Sequence, residues 1–279
     1  MLEGFLFTLL VAPPVGAHSE EAAVSYRTYA PLTIDGKLED WIRRLEGRDW
    51  NGRLAVAKGE VGERIRAVPI HLNALTSRVE AGTVSGPDDL SAVVYTLWDP
   101  ERFYVVAMVT DDQVVSQHEG ADIWQDDCLE LWFDCRHDAV TRTLFLDDEY
   151  QRGLSPAGAD RNRPLAWAWR NPRTAPVTAA MTVASAAIPG GYLVEASVPW
   201  SVLQGCQPTS GGMIGFNLSL VDKDGDQVWT HLTWSGQLHS DPSQFGHLHF
   251  LDAPIDLFES DVVESQPQQA PWDLPQQQE

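Results

Sequence analysis

Residues 128–134 read Cys-Leu-Glu-Leu-Trp-Phe-Asp and alternate without a break. In an extended chain successive side chains point to opposite sides, so Leu129, Leu131 and Phe133 share one face and Cys128, Glu130 and Trp132 the other. One face is suited to a core; the other presents a carboxylate and an indole. Segments of the same kind lie on both sides. Residues 93–98 (VVYTLW) run through Asp99-Pro100-Glu101-Arg102, a turn with proline at its second position, into residues 103–109 (FYVVAMV), which is a β-hairpin. Residues 178–184, 192–198, 214–221, 228–234 and 247–251 continue the series. Pro189-Gly190-Gly191, Asp222-Lys223-Asp224-Gly225-Asp226 and Asp241-Pro242 punctuate it. Two short strands are expected around residues 68–72 and 77–81, beyond a stretch with Arg43, Arg44, Arg48, Arg53, Arg64 and Arg66. Long amphipathic helices are absent from this pattern. The expected fold is all-β, a two-sheet antiparallel β-sandwich of jelly-roll type, with one sheet face free to bind.

Charge narrows the partners. The 279 residues carry 19 Lys+Arg against 40 Asp+Glu, a formal net charge of −21, which repels nucleic-acid phosphates and anionic lipid. Hydrophobic residues make up 43% of the chain, enough for a core. No stretch approaches the roughly 20 apolar residues of a membrane-spanning helix. Residues 99–149 hold fourteen acids and three bases (Arg102, Arg136, Arg142), a local charge of −11. Clustered carboxylates need compensation by a cation such as calcium or by hydroxyl donors. Asp111 and Asp112, just after a strand, are calcium candidates. Asp127 fits a metal or a cap for nearby N–H groups. The Asp222-Asp224-Asp226 run reads as a hairpin turn, and His247 and His249 share a strand face without a third ligand in view.

At the N-terminus an apolar run at residues 5–11 (FLFTLLV) precedes Val15-Gly16-Ala17. This reads as a signal peptide over residues 1–17, giving a secreted or periplasmic protein. The Gln/Pro-rich acidic residues 254–279 read as a flexible tail, leaving residues 24–253 as the domain. Cys128 and Cys135 stand at odd separation in one expected strand and cannot pair with each other. A bridge from Cys206 to one of them stays open, with buried free thiols favoured.

Residues 31–41 (PLTIDGKLEDW), 97–112 (LWDPERFYVVAMVTDD), 122–134 (DIWQDDCLELWFD), 190–203 (GGYLVEASVPWSVL), 215–226 (GFNLSLVDKDGD), 232–236 (LTWSG) and 241–250 (DPSQFGHLHF) follow one another in an order that resembles the family 9 carbohydrate-binding modules and their DOMON-like relatives. The resemblance implies a jelly-roll-like sandwich binding a polysaccharide or oligosaccharide, with structural calcium. Trp124 takes the place of a family Trp that stacks on a sugar ring, and Glu130 that of a carboxylate that accepts sugar hydroxyls. By its spacing from Asp241-Pro242, His239 stands where the family has a second Trp that sandwiches the ligand. Ser219 replaces a family Gln. A family Arg aligns with Arg152, in a register that the spacing leaves open across Tyr150-Gln151-Arg152. Trp167 and Trp169 alternate on one face and offer a second aromatic platform.

Catalysis is not expected. Asp126, Asp127 and Glu130 crowd one strand end, whereas a glycosidase pair flanks the bond at about 5–10 Å. Nucleophile-elbow, phosphate-loop and HExxH motifs are missing from the sequence. A haem-binding DOMON-type redox module is the alternative. It needs axial Met or His, and Met108 and Met181 sit in strand contexts that read as core. A structural domain that has lost its ligand is the third reading.

Overall fold

The computed structural model describes residues 19–41, 69–139, 141–170, 174–225, 228–237 and 239–252. The expected signal peptide, the acidic tail, most of the arginine-containing stretch and Asp226 lie outside these residues. Thirteen strands are described: β1 (Ala22–Arg27), β2 (Ile70–Asn73), β3 (Arg78–Ala81), β4 (Leu90–Trp98), β5 (Arg102–Asp111), β6 (Cys128–Asp134), β7 (Glu149–Ser155), β8 (Leu165–Ala168), β9 (Thr182–Ile188), β10 (Gly191–Pro199), β11 (Met213–Asp224), β12 (Val228–Thr233) and β13 (Gly246–Leu251). The sequence pattern did not mark β1, β7 or β8. Its expected strand at 178–184 is instead the end of a short helix, Thr174–Ala180, followed by β9.

The strands hydrogen-bond in the order β8-β7-β6-β11-β13-β1-β4-β5-β10-β9, with β2 on β4, β12 on β11 and β3 on β12. The all-β expectation holds. The two-sheet antiparallel description does not cover the hydrogen bonding: β1 runs parallel to both β13 and β4 and joins them into one continuous network. Its first residues pair with His247–Leu251 and its last two with Leu97 and Trp98, so a single strand links the two halves of the wall.

The main core lies inside this wall. Leu129, Leu131 and Phe133 of β6 meet Phe103 and Val105 of β5 and Phe216 and Leu218 of β11, all buried. The Phe103 ring packs edge-on against Phe133 and Phe216 at 5.3 and 5.8 Å. A second cluster covers the other face of β4, β5 and β10, where Leu32 and Trp41 pack on Tyr95, Tyr104 and Leu193. Here the Ile-Asp-Gly…Trp segment finds its physical reason. The N–H groups of Asp35 and Gly36 both donate to Glu195 Oε1 at 2.6 Å, and Trp41 Nε1 donates to Glu195 Oε2 at 2.7 Å. Gly36 has φ 83° and a Cβ there would sit 2.9 Å from the Ser185 carbonyl oxygen, so only glycine brings the backbone this close.

Cys135 and Cys206 form a disulfide and Cys128 is a buried free thiol. Of the two readings the sequence left open, the bridge from Cys206 is the one that forms, to Cys135, and the favoured free-thiol reading holds for Cys128 alone. β6 ends at Asp134, so Cys135 sits in the following turn and is released from the strand's alternation. The bridge spans a sequence separation of 71 and ties the end of β6 to the segment before β11. Cys206→Ser is expected to cost about 4 kcal/mol through lost loop-closure entropy, measured as a lower midpoint in urea against the oxidised parent.

Candidate functional site

The face of β6 opposite the core builds one wall of a cleft of about 650 Å³. Trp124, Trp169 and Trp229 supply its aromatic surface, and Glu130, Gln151, His231 and His239 its polar one. Trp124 is carried by a short 3₁₀ helix, Gly120–Gln125. Ile123 anchors this turn by burying itself against Cys128 and Val221, which leaves the neighbouring indole 40% exposed. The two carboxylates that follow lock the turn to the preceding loop. Asp126 accepts the N–H groups of Gln117 and His118 at 2.6 and 2.5 Å, and its other oxygen lies 2.7 Å from His118 Nδ1. Asp127 accepts Val115 N–H at 2.5 Å and Lys223 N–H at 2.9 Å.

Glu130 is buried at the cleft floor. Ser219 Oγ donates to its Oε2 at 3.1 Å and Gln151 Nε2 to its Oε1 at 3.2 Å. Trp132 Nε1 in turn donates to Ser219 Oγ at 3.3 Å, so the indole orients the hydroxyl that orients the carboxylate. Burial pushes the Glu130 carboxyl above its usual range, against the opposing pull of His239 and of these donors. Such a carboxylate gains from any ligand hydroxyl that donates to it.

Trp229 projects from β12 and is 41% exposed. Its ring meets Trp124 edge-on at 6.1 Å and 86°, so the two indoles form a right-angled corner and not a parallel slot. Trp169 closes the third side, its Nε1 donating to the Ala121 carbonyl at 2.8 Å. It lies over Gly153, where any Cβ would fall 2.2 Å from the indole. Trp167 lies outside the cleft lining, against Ile123 and Cys128.

Trp124, Glu130 and His239 therefore meet in one cleft. Arg152 does not. It pairs with Leu131 in the β6–β7 register and shares its core-facing side, while Gln151 pairs with Trp132 and faces the cleft. Arg152 is fully buried; its Nη1 donates to the carbonyls of Gln151 and Arg170 at 2.9 and 3.0 Å and its Nη2 to that of Val202 at 3.0 Å. It is a structural tie between β7 and two following segments, and burial lowers its pKa to about 10. Trp229, His231, Gln151 and Arg170 were not singled out from the sequence. For Trp229 and His231 a signal existed: Leu232 belongs to the core, so alternate residues before it face away.

The acidic candidates divide. Asp111 and Asp127 converge with Asp222, all three buried, with one carboxylate oxygen from each lying within 4.8 Å of the others. Asp112 belongs to a separate group with Asp89 and Asp224. The Asp222–Asp224 segment does form a hairpin with β12, yet both its acids enter these groups. Asp111 Oδ2 and Asp222 Oδ1 are buried without a hydrogen-bond partner among the described residues. Burial, reinforced by the neighbouring Asp111, pushes Asp127 up to about 9 and Asp222 up to about 8.

An all-β domain with an aromatic-walled, polar-floored cleft defines a class of ligand-binding module. Comparison with known proteins makes this specific: the family described as "Carbohydrate family 9 binding domain-like" matches residues 70–253, and the chain belongs to it. Among curated proteins it is 28% identical over 166 residues to endo-1,4-beta-xylanase A of Thermotoga neapolitana, covering 58% of this chain and 14% of that protein. It is 23% identical over 249 residues to exoglucanase XynX of Acetivibrio thermocellus, covering 88% of this chain and 19% of that protein. The chain thus spans under a fifth of the length of these relatives. Among solved structures, a family 9 carbohydrate-binding module from Caldicellulosiruptor kristjanssonii in complex with cellotriose shares the fold at a TM-score of 0.54 and 18% identity, covering 88% of this chain and 100% of that one.

Arg152→Met is expected to remove the donor to the Arg170 and Val202 carbonyls, while the Gln151 carbonyl keeps the Trp169 N–H, and to cost about 3 kcal/mol in a denaturant titration, with the intrinsic fluorescence of the cleft indoles in the folded protein unchanged.

Proposed function

We propose that this chain is a secreted, non-catalytic module that binds a polysaccharide or oligosaccharide in the cleft between Trp124, Trp229 and Glu130. The observation that carries the reading is the joining of three indoles to a buried, hydrogen-bonded carboxylate in one depression. A sugar ring has an apolar C–H face that packs on an indole and hydroxyls that need fixed acceptors and donors. Trp124 and Trp229 supply the first; Glu130, Gln151 and His239 supply the second. The corner between Trp124 and Trp229 admits a ring stacked on one indole with its edge against the other. Relatives that include xylanases and an exoglucanase, and a structural neighbour bound to cellotriose, support a β-glucan or xylan class of ligand. The Cys135–Cys206 bridge supports export, because such bonds persist in oxidising compartments. Among the described residues no helix is long and apolar enough to cross a membrane. The haem reading loses support because Met181 lies in the main core and Met108 packs on the separate outer cluster, so they face no common slot.

Calcium belongs to the same proposal. The orphaned oxygens of Asp111 and Asp222 beside Asp127 fit a hard cation that takes oxygen ligands. Bound there, it would neutralise three buried carboxylates and join the end of β5, the start of β6 and the end of β11.

On a glycan array with calcium present, the protein is expected to retain cello- or xylo-oligosaccharides, and Trp124→Ala and Trp229→Ala each to weaken binding at least about tenfold, or about 1.4 kcal/mol. Retention of nothing across a broad array overturns the sugar reading. The pH dependence of the chelated protein has a definite sign. Asp127 and Asp222 have folded pKa values raised above their unfolded value of about 4, so they favour the folded state while protonated and that stability is lost as pH rises towards 9. The melting temperature of chelated protein is therefore expected to fall from pH 5 to pH 9. Calcium should restore it at pH 8 and do little at pH 5; a flat profile that ignores calcium counts against the metal.

A further inference from the structure

One group on the cleft wall shares only His239 with the sugar contacts described above. β3 and β12 pair with a bulge: His231 is opposite Ala81 and Leu232 opposite Val79, so Glu80 is the extra residue on its strand. A bulge re-aims a side chain, and here it lets Val79 pack on the core while Glu80 turns to the cleft side. There it meets His239. The His239 backbone N–H donates to Glu80 Oε1, and the His239 Nδ1 pairs with Glu80 Oε2. The rings of His239 and His231 lie 3.9 Å apart at 37°. One ligand atom from each of Glu80, His231 and His239 lies within 4.8 Å of the other two. The side chains of Glu80 and His231 are only 8% and 6% exposed, whereas His239 is 24% exposed and leaves a way in from the cleft.

The decisive atom is His231 Nε2. It is buried and has no hydrogen-bond partner among the described residues; its nearest acidic atom, Glu130 Oε2, is 3.8 Å away. An orphaned ring nitrogen in this position is destabilising unless something binds it.

We propose that Glu80, His231 and His239 form a transition-metal site of the zinc class in the wall of the cleft. Two imidazole nitrogens and one carboxylate oxygen are a donor set for zinc and its neighbours and a poor one for calcium, which takes oxygen. Three protein ligands leave a fourth tetrahedral position for water. The metal replaces the proton shared between His239 and Glu80 and satisfies His231. The site is separate from the Asp111–Asp127–Asp222 group in both place and chemistry.

The test is titration of zinc chloride into full-length, chelator-stripped protein, by calorimetry, in buffer with excess calcium and no sugar. One zinc per chain is expected with a dissociation constant below about 10 μM, weakened at least about tenfold in His231→Gln and in His239→Gln. Cobalt(II) should show visible ligand-field bands that are lost in both variants. His239 is the more exposed ring, so His239→Gln carries the comparison if circular dichroism shows His231→Gln unfolded. No binding up to about 100 μM zinc, or unchanged affinity in His239→Gln, overturns the proposal. Neither result depends on the glycan array, because zinc is titrated without sugar and the array is run with calcium alone.

Discussion

The alternation of side chains across β6 and its neighbours is the constraint on which the rest depends. A strand with period two cannot bury both faces in one core. Leu129, Leu131 and Phe133 therefore commit one face to the interior and oblige Glu130 and Trp132 to occupy the other. Pairing with β11 propagates the division: Leu218 and Leu220 go inward, and Ser219 meets Glu130 across the strands. Pairing with β7 does the same, with Gln151 beside Trp132 in the cleft and Arg152 beside Leu131 in the core. A one-residue slip at either edge would exchange the two faces, burying Gln151 and Ser219 and exposing Arg152 and Leu218.

Around this frame, buried carboxylates perform three distinct tasks. Some organise backbone: Glu195 gathers two N–H groups and an indole, and Asp126 and Asp127 fix the turn that presents Trp124. Some are balanced by arginine, as where Arg142 reaches Glu149 at 2.5 Å and Arg136 reaches Asp148 at 3.5 Å. Asp111 and Asp222, joined by the other side of Asp127, have no arginine partner among the described residues and form the oxygen-only group to which the calcium proposal applies. The acidity of residues 99–149 thus breaks down into capping, ion pairing and metal-type clusters. It is not one solvated face.

The cleft joins rigid and adjustable elements. Trp169 is held by Gly153 and by the Ala121 carbonyl, and Glu130 by Ser219 and Gln151. These groups are ordered before any ligand arrives, which lowers the entropy cost of binding. Trp124 and Trp229 are the exposed members and meet only at their edges, so most of the apolar area that a ligand can cover belongs to them.

Much of this was legible in the sequence. Strand alternation and turn residues are local properties, so the all-β class, the opposite facing of Glu130 and Leu131, and the clustering of acids around Trp124 followed from spacing alone. Strand pairing is non-local, and only the folded chain decided it. Asp222 lies about a hundred residues from Asp111 and Asp127, and β5, β6 and β11 had to be brought together before the three could meet. Trp229, His231 and Glu80 reached the cleft through the β11–β12–β3 pairing and a bulge that no periodicity announces. Arg152 fell on the core side because Tyr150 and Leu154, of the same parity, are both core residues. The sequence by itself determined which faces each strand has; the tertiary structure decided which faces meet, because register and sheet closure depend on partners far along the chain.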